Sequence, residues 1–423
     1  MKKYFYLVSE EHLQKIEQSN LDPQTCYEFL NHFIPFKKDE DFVPVHSKEL
    51  ESITYKYKEY ITFFVRNKII FSNNYYSKEK HLCREYKLRE INPSPYLRVP
   101  MQSLKFINRL HNSNTTNKKR MKLLSKQETF RRMKNTFIEF IQGIDTDALL
   151  EYVNQEDSVG QRLRLAREIY MIKDNNIYFK RNSTNFRLDS NLTNLRSDYK
   201  YFHARNDLSV IDLKNSQPFL LSYLLNYYTS ITSNTILSDV DVTGATAPFI
   251  HKVRGLPFNS DDIQILSEGL FSDFKELKRY TELCQNGTLY EYLATHFNTN
   301  RDEAKLNVMK IFYSANNLYR KEKKVFNKLF PQVGKFMRVF KDIYGYETFA
   351  ILLQRMESEL VLDNVCRIMV TQGITPLTIH DSWIVPTDKV QESIDIINSI
   401  FIIPPRISVD HYVDKQKELN IAK

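Results

Sequence analysis

Glycine is scarce in this sequence, with 9 residues in 423. Neither G-x-x-x-x-G-K nor G-x-G-x-x-G occurs, so a glycine-rich phosphate loop is not what the chain is built around. Cysteine is scarcer still. Cys26, Cys83, Cys284 and Cys366 lie far apart and form no C-x-x-C pair, which argues against a structural zinc site and a disulfide framework. No stretch reaches the roughly 18 apolar residues of a membrane span. The apolar run near Met1 is too short for a secretory signal. These absences predict reduced thiols, a cytoplasmic location and no membrane partner.

What is abundant is aromatic and apolar. With 26 Tyr, 28 Phe and 42% hydrophobic residues overall, the chain can bury sizeable cores. Its length predicts roughly two to four compact units. Sixty Lys and Arg against 51 Asp and Glu leave a formal charge of +9. That suits a polyanionic partner such as nucleic acid. The Lys, Asn, Ile and Tyr bias of an AT-rich genome would leave a similar excess, so charge alone does not decide.

Residues 10–35 carry apolar positions at helical spacing, from Leu13 and Ile16 to Phe29, Leu30 and Phe33. After a charged break, Ser47, Leu50 and Ile53 predict a short helix capped by Ser47. Tyr57, Tyr60, Ile61, Phe64 and Val65 predict a longer one. Ile69–Phe71 and Arg84–Leu88 read as strands flanking the polar tip Ser77–His81. Helix, helix, strand, basic tip, strand is the order of a winged helix. The second helix, with Lys56, Lys58, Arg66 and Lys68, would enter a groove while the tip meets phosphates. Winged helices also serve as protein docking modules. Residues 91–120, Pro-rich and then basic through Lys118-Lys119-Arg120, read as an exposed linker or a flexible tip. Residues 121–154 return to helical spacing with Lys122, Lys126, Arg131, Arg132 and Lys134, either a solvated face or one that tracks phosphates. Beyond about residue 160 the pattern mixes strands and helices. Residues 226–345 look mostly helical and 375–415 return to strands.

Three stretches could carry chemistry. In Ser209–Pro218 an apolar, β-branched run stops at Asp212 and passes into the helix-like Phe219–Leu225. Alone, Asp212 reads as a turn aspartate. Thr375–Pro386 has the same design: two short apolar strands flank a His380-Asp381-Ser382 tip, which predicts a hairpin. Two carboxylates at the ends of adjacent buried strands can hold two divalent cations about 4 Å apart, the geometry of in-line phosphoryl or nucleotidyl transfer. Magnesium suits such a site, because it takes few carboxylates and keeps waters and phosphate oxygens. Manganese is the alternative ion. In the third stretch Arg301, Lys305, Met309 and Tyr313 recur every four residues and share one broad helix face. A guanidinium and an ammonium one turn apart can grip a triphosphate, and a tyrosine two turns on can close a sugar or base pocket. The plain alternative is an amphipathic helix with exposed cations.

In this order the three stretches resemble the palm and fingers of family A DNA polymerases and the related single-subunit phage-type RNA polymerases. Motif A of that family opens with a metal-binding Asp at a strand end, as Asp212 does. Motif B is R-x-x-x-K followed by seven residues and then Tyr-Gly. Here Arg301, Lys305 and Tyr313 match and Ser314 replaces the glycine. Motif C is His-Asp-Glu in the DNA enzymes and His-Asp-Ser in the RNA enzymes, against His380-Asp381-Ser382. The resemblance covers roughly residues 160–423. It implies that Asp212, Asp381 and the Leu213 carbonyl hold two metals, and that Arg301 and Lys305 bind the incoming triphosphate. Lys305 would also protonate the leaving pyrophosphate. Tyr313 and Met309 would line the nucleotide site. His380, Arg187, Thr193, Asn194 and Gln354 would touch primer and template. Five residues after the motif A Asp, the DNA enzymes carry Glu and the RNA enzymes Gly. Gln217 stands there, nearly the size of Glu, which favours deoxynucleotides.

The expected fold is α+β: a right-hand polymerase with an antiparallel-sheet palm and mainly helical fingers. The expected divisions are a winged-helix-like domain at 1–95, a basic linker and helical thumb-like region at 96–160, palm at 161–225, fingers at 226–345 and palm again at 346–423. No spaced Asp/Glu set in residues 1–150 suggests an exonuclease domain. The expected activity is that of a DNA-dependent DNA polymerase without proofreading, acting as a monomer on primer–template DNA and nucleoside triphosphates. A single-subunit RNA polymerase or primase is the first alternative. A non-catalytic DNA-binding initiator or regulator with a degenerate palm is the second.

Overall fold

The computed structural model describes residues 4–34, 42–73, 83–89, 96–106, 127–155, 159–233, 274–401 and 403–421. The tip at 77–81, the basic segment 112–120, Lys122 and Lys126 lie outside the described residues. The class is α+β, with helix dominant and the strands gathered into small sheets. By contacts the chain forms two compact units. One comprises Met1–Thr115, Ile141–Tyr178 and Ser190–Ala204; the other comprises Thr116–Phe140, Phe179–Asp189 and Arg205–Lys423.

In the first unit, strand β1 (Phe5–Ser9) is buried throughout. Helix Pro23–His32 starts where the Asp22 carboxylate accepts the Thr25 N–H, with Pro23 in the first turn. Next come β2 (Val43–Val45), helix Ser47–Ile53, helix Tyr57–Arg66, β3 (Ile70–Ser72) and β4 (Arg84–Leu88). These strands form an antiparallel sheet in the order β2-β4-β3. The cap of helix Ser47–Ile53 is His46, not Ser47: the His46 ring nitrogen accepts the Lys48 N–H. Aromatic side chains join the helices to one another and to the sheet. Phe29 packs on Tyr60 at 5.2 Å and Phe33 on Tyr86 at 5.0 Å between ring centroids. The expected linker is partly a strand: β5 (Tyr96–Pro100) pairs antiparallel with β1 along its length. Its Leu97-Arg98-Val99 is too short and too exposed to show period-two patterning.

In the second unit, β6 (Phe179–Arg181) and β7 (Leu188–Ser190) form a two-stranded sheet. Residues 179–190 therefore form a hairpin. Its loop is stapled to helix Tyr346–Ser358: Asn185 donates to Gln354, Arg355 to the Thr184 carbonyl, and Ser358 to the Phe186 carbonyl. Arg355 also lies over the Phe186 ring at 4.5 Å. That helix continues as a π segment, Glu359–Val365, whose Asp363 pairs with the buried Arg181. The main sheet contains β8 (Leu208–Leu213), β9 (Leu377–Ile379), β10 (Ser382–Pro386) and β11 (Ile407–His411), in the order β11-β8-β10-β9 and antiparallel throughout. Helix Val390–Ile400, which the strand-rich reading of 375–415 passed over, lies between β10 and β11 in sequence. The described part of 226–345 is helical, with Phe274–Gln285, Leu289–Phe297, Arg301–Tyr313, Arg320–Leu329 and Pro331–Tyr344.

Candidate active site

The main sheet brings the two aspartates together. Strand β8 is buried at every position except Asp212. Asp212 faces Ser382 on β10 and Ser408 on β11. Opposed residues share a face, so short side chains flank it on both sides. β9 and β10 are joined by His380-Asp381 alone, a two-residue turn with His380 in the left-handed region at φ 54°. The Leu213 N–H donates to the Asp381 carbonyl at 3.3 Å. Asp381 therefore sits against the end of β8, next to the residue that faces Asp212. Its side chain is half-buried, and its carboxylate has no hydrogen bond or ion pair among the described residues.

Other predicted residues converge on this corner. After β8 the chain turns sharply through Asn215, at φ 53°, into helix Ser216–Ser233, and the Lys214 N–H is tied to the Arg406 carbonyl at 2.8 Å. This turn buries Gln217. Tyr313, the last residue of helix Arg301–Tyr313, donates its hydroxyl to Gln217 Oε1 at 2.9 Å. Gln217 Nε2 donates to Glu357 Oε2, and Arg187 Nη2 reaches the same oxygen at 2.6 Å. The β6–β7 hairpin that positions Arg187 also presents Asn185 to Gln354.

The electrostatics follow from burial. Glu357 is fully enclosed. Burial pushes its carboxyl up to about 7, with Asp381 adding to the rise and Arg187 opposing it. Burial raises the Tyr313 and Tyr290 hydroxyls well above their usual value, and the charge of Asp381 adds to both shifts. Both therefore remain donors. His380 is exposed at the turn, yet the protein around it takes part of its ring's water away. That desolvation, and next the charge of Arg187, hold its pKa below the ordinary histidine value. Asp381 thus lies among Tyr290, Tyr313, Glu357 and His380, all of which feel its charge.

The remaining predicted residues are placed differently. Arg301 and Lys305 are exposed and Met309 is half-buried, while Ala304, Asn307, Val308, Ile311 and Phe312 form the packed face of their helix. Arg301 is engaged with Glu291 at 2.6 Å and lies over the Tyr290 ring at 5.7 Å. Ser314, where the family pattern has glycine, adopts φ −109°, which any residue can take. Thr193 and Asn194 belong to the first unit. Thr193 closes its own 3₁₀ turn on Ser190, and Asn194 donates to the Tyr178 hydroxyl at 2.6 Å.

Two residues of the site were missed in the sequence. Glu357 lies three residues beyond Gln354 and so on the same helix flank, a carboxylate in the run Leu352–Ser358. Asn215 is buried with both side-chain polar atoms lacking a hydrogen-bond partner. Only its place two residues after the strand end hinted at the left-handed turn, which Asn tolerates better than most residues.

Among the described residues no group of three or more His, Cys, Asp and Glu side chains is placed to hold a metal ion. The corner offers two carboxylates on neighbouring strand ends, one of them without a protein partner. This sparse, hard-oxygen set does not fit a closed zinc site. It fits magnesium, which keeps much of its shell for water and phosphate. No protein-family model matches the chain, and no curated protein matches its sequence.

Proposed function

We propose that the chain is a template-directed nucleotidyltransferase, a DNA polymerase without proofreading that uses Asp212 and Asp381 to hold two magnesium ions. The observation that carries this reading is the β8–β10 register, with Ser382 opposite Asp212 and Asp381 at the adjoining turn. Bound there, the ions would polarise a phosphoryl oxygen and activate a primer hydroxyl. The Leu213 carbonyl would complete the ligand set. The chain's own residues would do the rest. Tyr313 and Gln217 form a hydrogen-bonded wall beside the aspartates. Because Glu357 pins the other end of the Gln217 amide, the wall is rigid, as steric exclusion of a 2′-hydroxyl requires. Arg187 and His380 would meet the primer end, and Gln354 the template. Arg301, Lys305 and Met309 would receive the triphosphate on the open face of their helix, with Lys305 as the proton donor to pyrophosphate. Such a role requires Arg301 to exchange Glu291 for phosphate.

Ser382, the residue that points toward the RNA enzymes, donates to the Ile379 carbonyl at 2.8 Å. That bond is internal to the hairpin and is compatible with either product sugar. In the first unit the order helix, strand, helix, helix, strand, strand with sheet β2-β4-β3 supports a winged helix, which would add duplex contacts. The test is extension of a labelled primer–template with magnesium, comparing deoxy- with ribonucleotides. Deoxynucleotide incorporation supports the proposal. Ribonucleotide incorporation makes the enzyme an RNA polymerase or primase. Tight binding with neither leaves a DNA-binding protein with a degenerate palm.

A further inference from the structure

A cavity of about 510 Å³ lies between helices Arg320–Leu329 and Pro331–Tyr344, beyond the C-terminal end of helix Arg301–Tyr313. Six cations line it: Arg320, Lys323, Lys324, Lys328, Arg338 and Lys341. None of them is ion-paired among the described residues. Arg320 donates to the Asn317 carbonyl. Lys323 donates to Ser314 Oγ and the Ala315 carbonyl. Lys341, itself buried, donates to the Ile311 and Ser314 carbonyls at 2.7 and 3.1 Å and so caps the end of helix Arg301–Tyr313. No acid among the described residues lies within ion-pair distance of them: Asp342 accepts from the Asn316 amide at 2.7 Å, and Glu322 acts on Lys323 through its charge alone.

Like charges held this close repel, and the side chains of Lys324, Lys328 and Arg338 make no hydrogen bond among the described residues that would offset it. Burial first, and next the charge of Lys323, bring Lys341 down to about 7. The rest of the lining is Ile311, Asn316, Asn327, Gly334 and Met337, with no aromatic ring on which a base could stack. At Gly334 a Cβ would come within 2.1 Å of Asn327 Oδ1, so the absent side chain lets the two helices close around the cavity floor.

We propose that this cavity binds an anion carrying two or more phosphate groups and recognises the phosphates alone. Two sources share that chemistry: the backbone of a single nucleic-acid strand, and a free polyphosphate. The inference concerns a site separate from Asp212 and Asp381 and does not require catalysis, so it stands or falls independently of the polymerase reading.

The test uses the full chain without metal or nucleotide and the triple variant Lys324→Gln/Lys328→Gln/Arg338→Gln. All three residues are exposed and none belongs to the aspartate corner. In one arm, binding of a fluorescent oligothymidylate is followed by anisotropy across salt concentrations. If a strand is the ligand, the variant binds about tenfold or more weakly at low salt, and its log–log salt slope is shallower by roughly 2. In the other arm, sodium tripolyphosphate is titrated while thermal unfolding is followed. If a free polyphosphate is the ligand, the melting point of the wild type rises and that of the variant does not. A change in either arm supports the site and identifies its source. Unchanged oligonucleotide affinity and slope together with equal tripolyphosphate shifts overturn it. Lys324→Gln alone, expected to lower the slope by about 1, serves if the triple variant does not fold.

Discussion

The Glu357–Arg187–Gln217 cluster makes a quantitative prediction. Glu357 is enclosed, and its carboxyl titrates near 7 in the fold against 4.5 for the free group. A folded value raised above the unfolded one contributes stability that is complete below about pH 4.5 and is lost as pH rises through about 7. The difference corresponds to roughly 3 kcal/mol. Burial therefore outweighs the Arg187 pair, and ionised Glu357 is a net cost to the fold. Replacing it by Gln keeps an acceptor for Arg187 and removes the titration. Relative to wild type, Glu357→Gln should gain about 3 kcal/mol in unfolding free energy between pH 4.5 and 8. Glu357→Leu removes the acceptor and leaves Arg187, only 18% exposed, without its partner. That change should cost about 3–5 kcal/mol, most of it recovered in the double variant Glu357→Leu/Arg187→Leu. The assay is urea unfolding followed by the fluorescence of Trp383, the only tryptophan, which is fully buried on β10 in the same unit. Parallel pH curves for wild type and Glu357→Gln would refute the reasoning, as would a double variant no better than Glu357→Leu.

Other perturbations follow from the same geometry. Gln217→Gly removes the wall beside the aspartates and should relax discrimination against ribonucleotides in primer extension; unchanged discrimination would remove Gln217 from that role. Tyr313→Phe deletes the hydrogen bond to Gln217 and should cost about 1 kcal/mol in urea unfolding, while moving sugar discrimination in the same direction as Gln217→Gly. Asn215→Gly relieves a left-handed residue and a buried, unbonded amide, and should stabilise the fold by about 1 kcal/mol. A loss of stability on that change would mean the Asn215 amide has a partner that matters.

Much of the main sheet could be read from the chain. Leu208–Leu213 is mostly apolar and partly β-branched up to its aspartate, and the Leu377–Pro386 hairpin announces itself by two apolar runs around the three polar residues His380-Asp381-Ser382. Both patterns depend on neighbours in sequence. The β1–β5 pairing does not: it joins residues 87 to 95 positions apart, and β5 is too exposed to alternate clearly. The same limit hid Glu357. Its significance comes from Arg187 and Gln217, which reach it from elements far away in sequence, and a lone carboxylate in a helix reads as solvent-facing. The Arg301–Tyr313 stripe was legible as a helix face. Which of its members meets the aspartate corner was not, because only the last turn, at Tyr313, bonds to Gln217. Ser47 was misplaced as a cap for a subtler reason. A histidine ring nitrogen can accept an amide as a serine hydroxyl does, and here His46 stands one residue earlier.

The central claim is that Asp212 and Asp381 form a two-metal nucleotidyl-transfer site. The most direct measurement compares wild type, Asp212→Ala and Asp381→Asn in magnesium-dependent extension of a primed template, with anisotropy confirming that all three still bind the template. The account predicts extension by wild type, and a loss of about a thousandfold or more in each variant, equivalent to roughly 4 kcal/mol of transition-state stabilisation. Template-binding wild-type protein that extends with neither deoxy- nor ribonucleotides would contradict it, and so would variants that extend as fast as wild type.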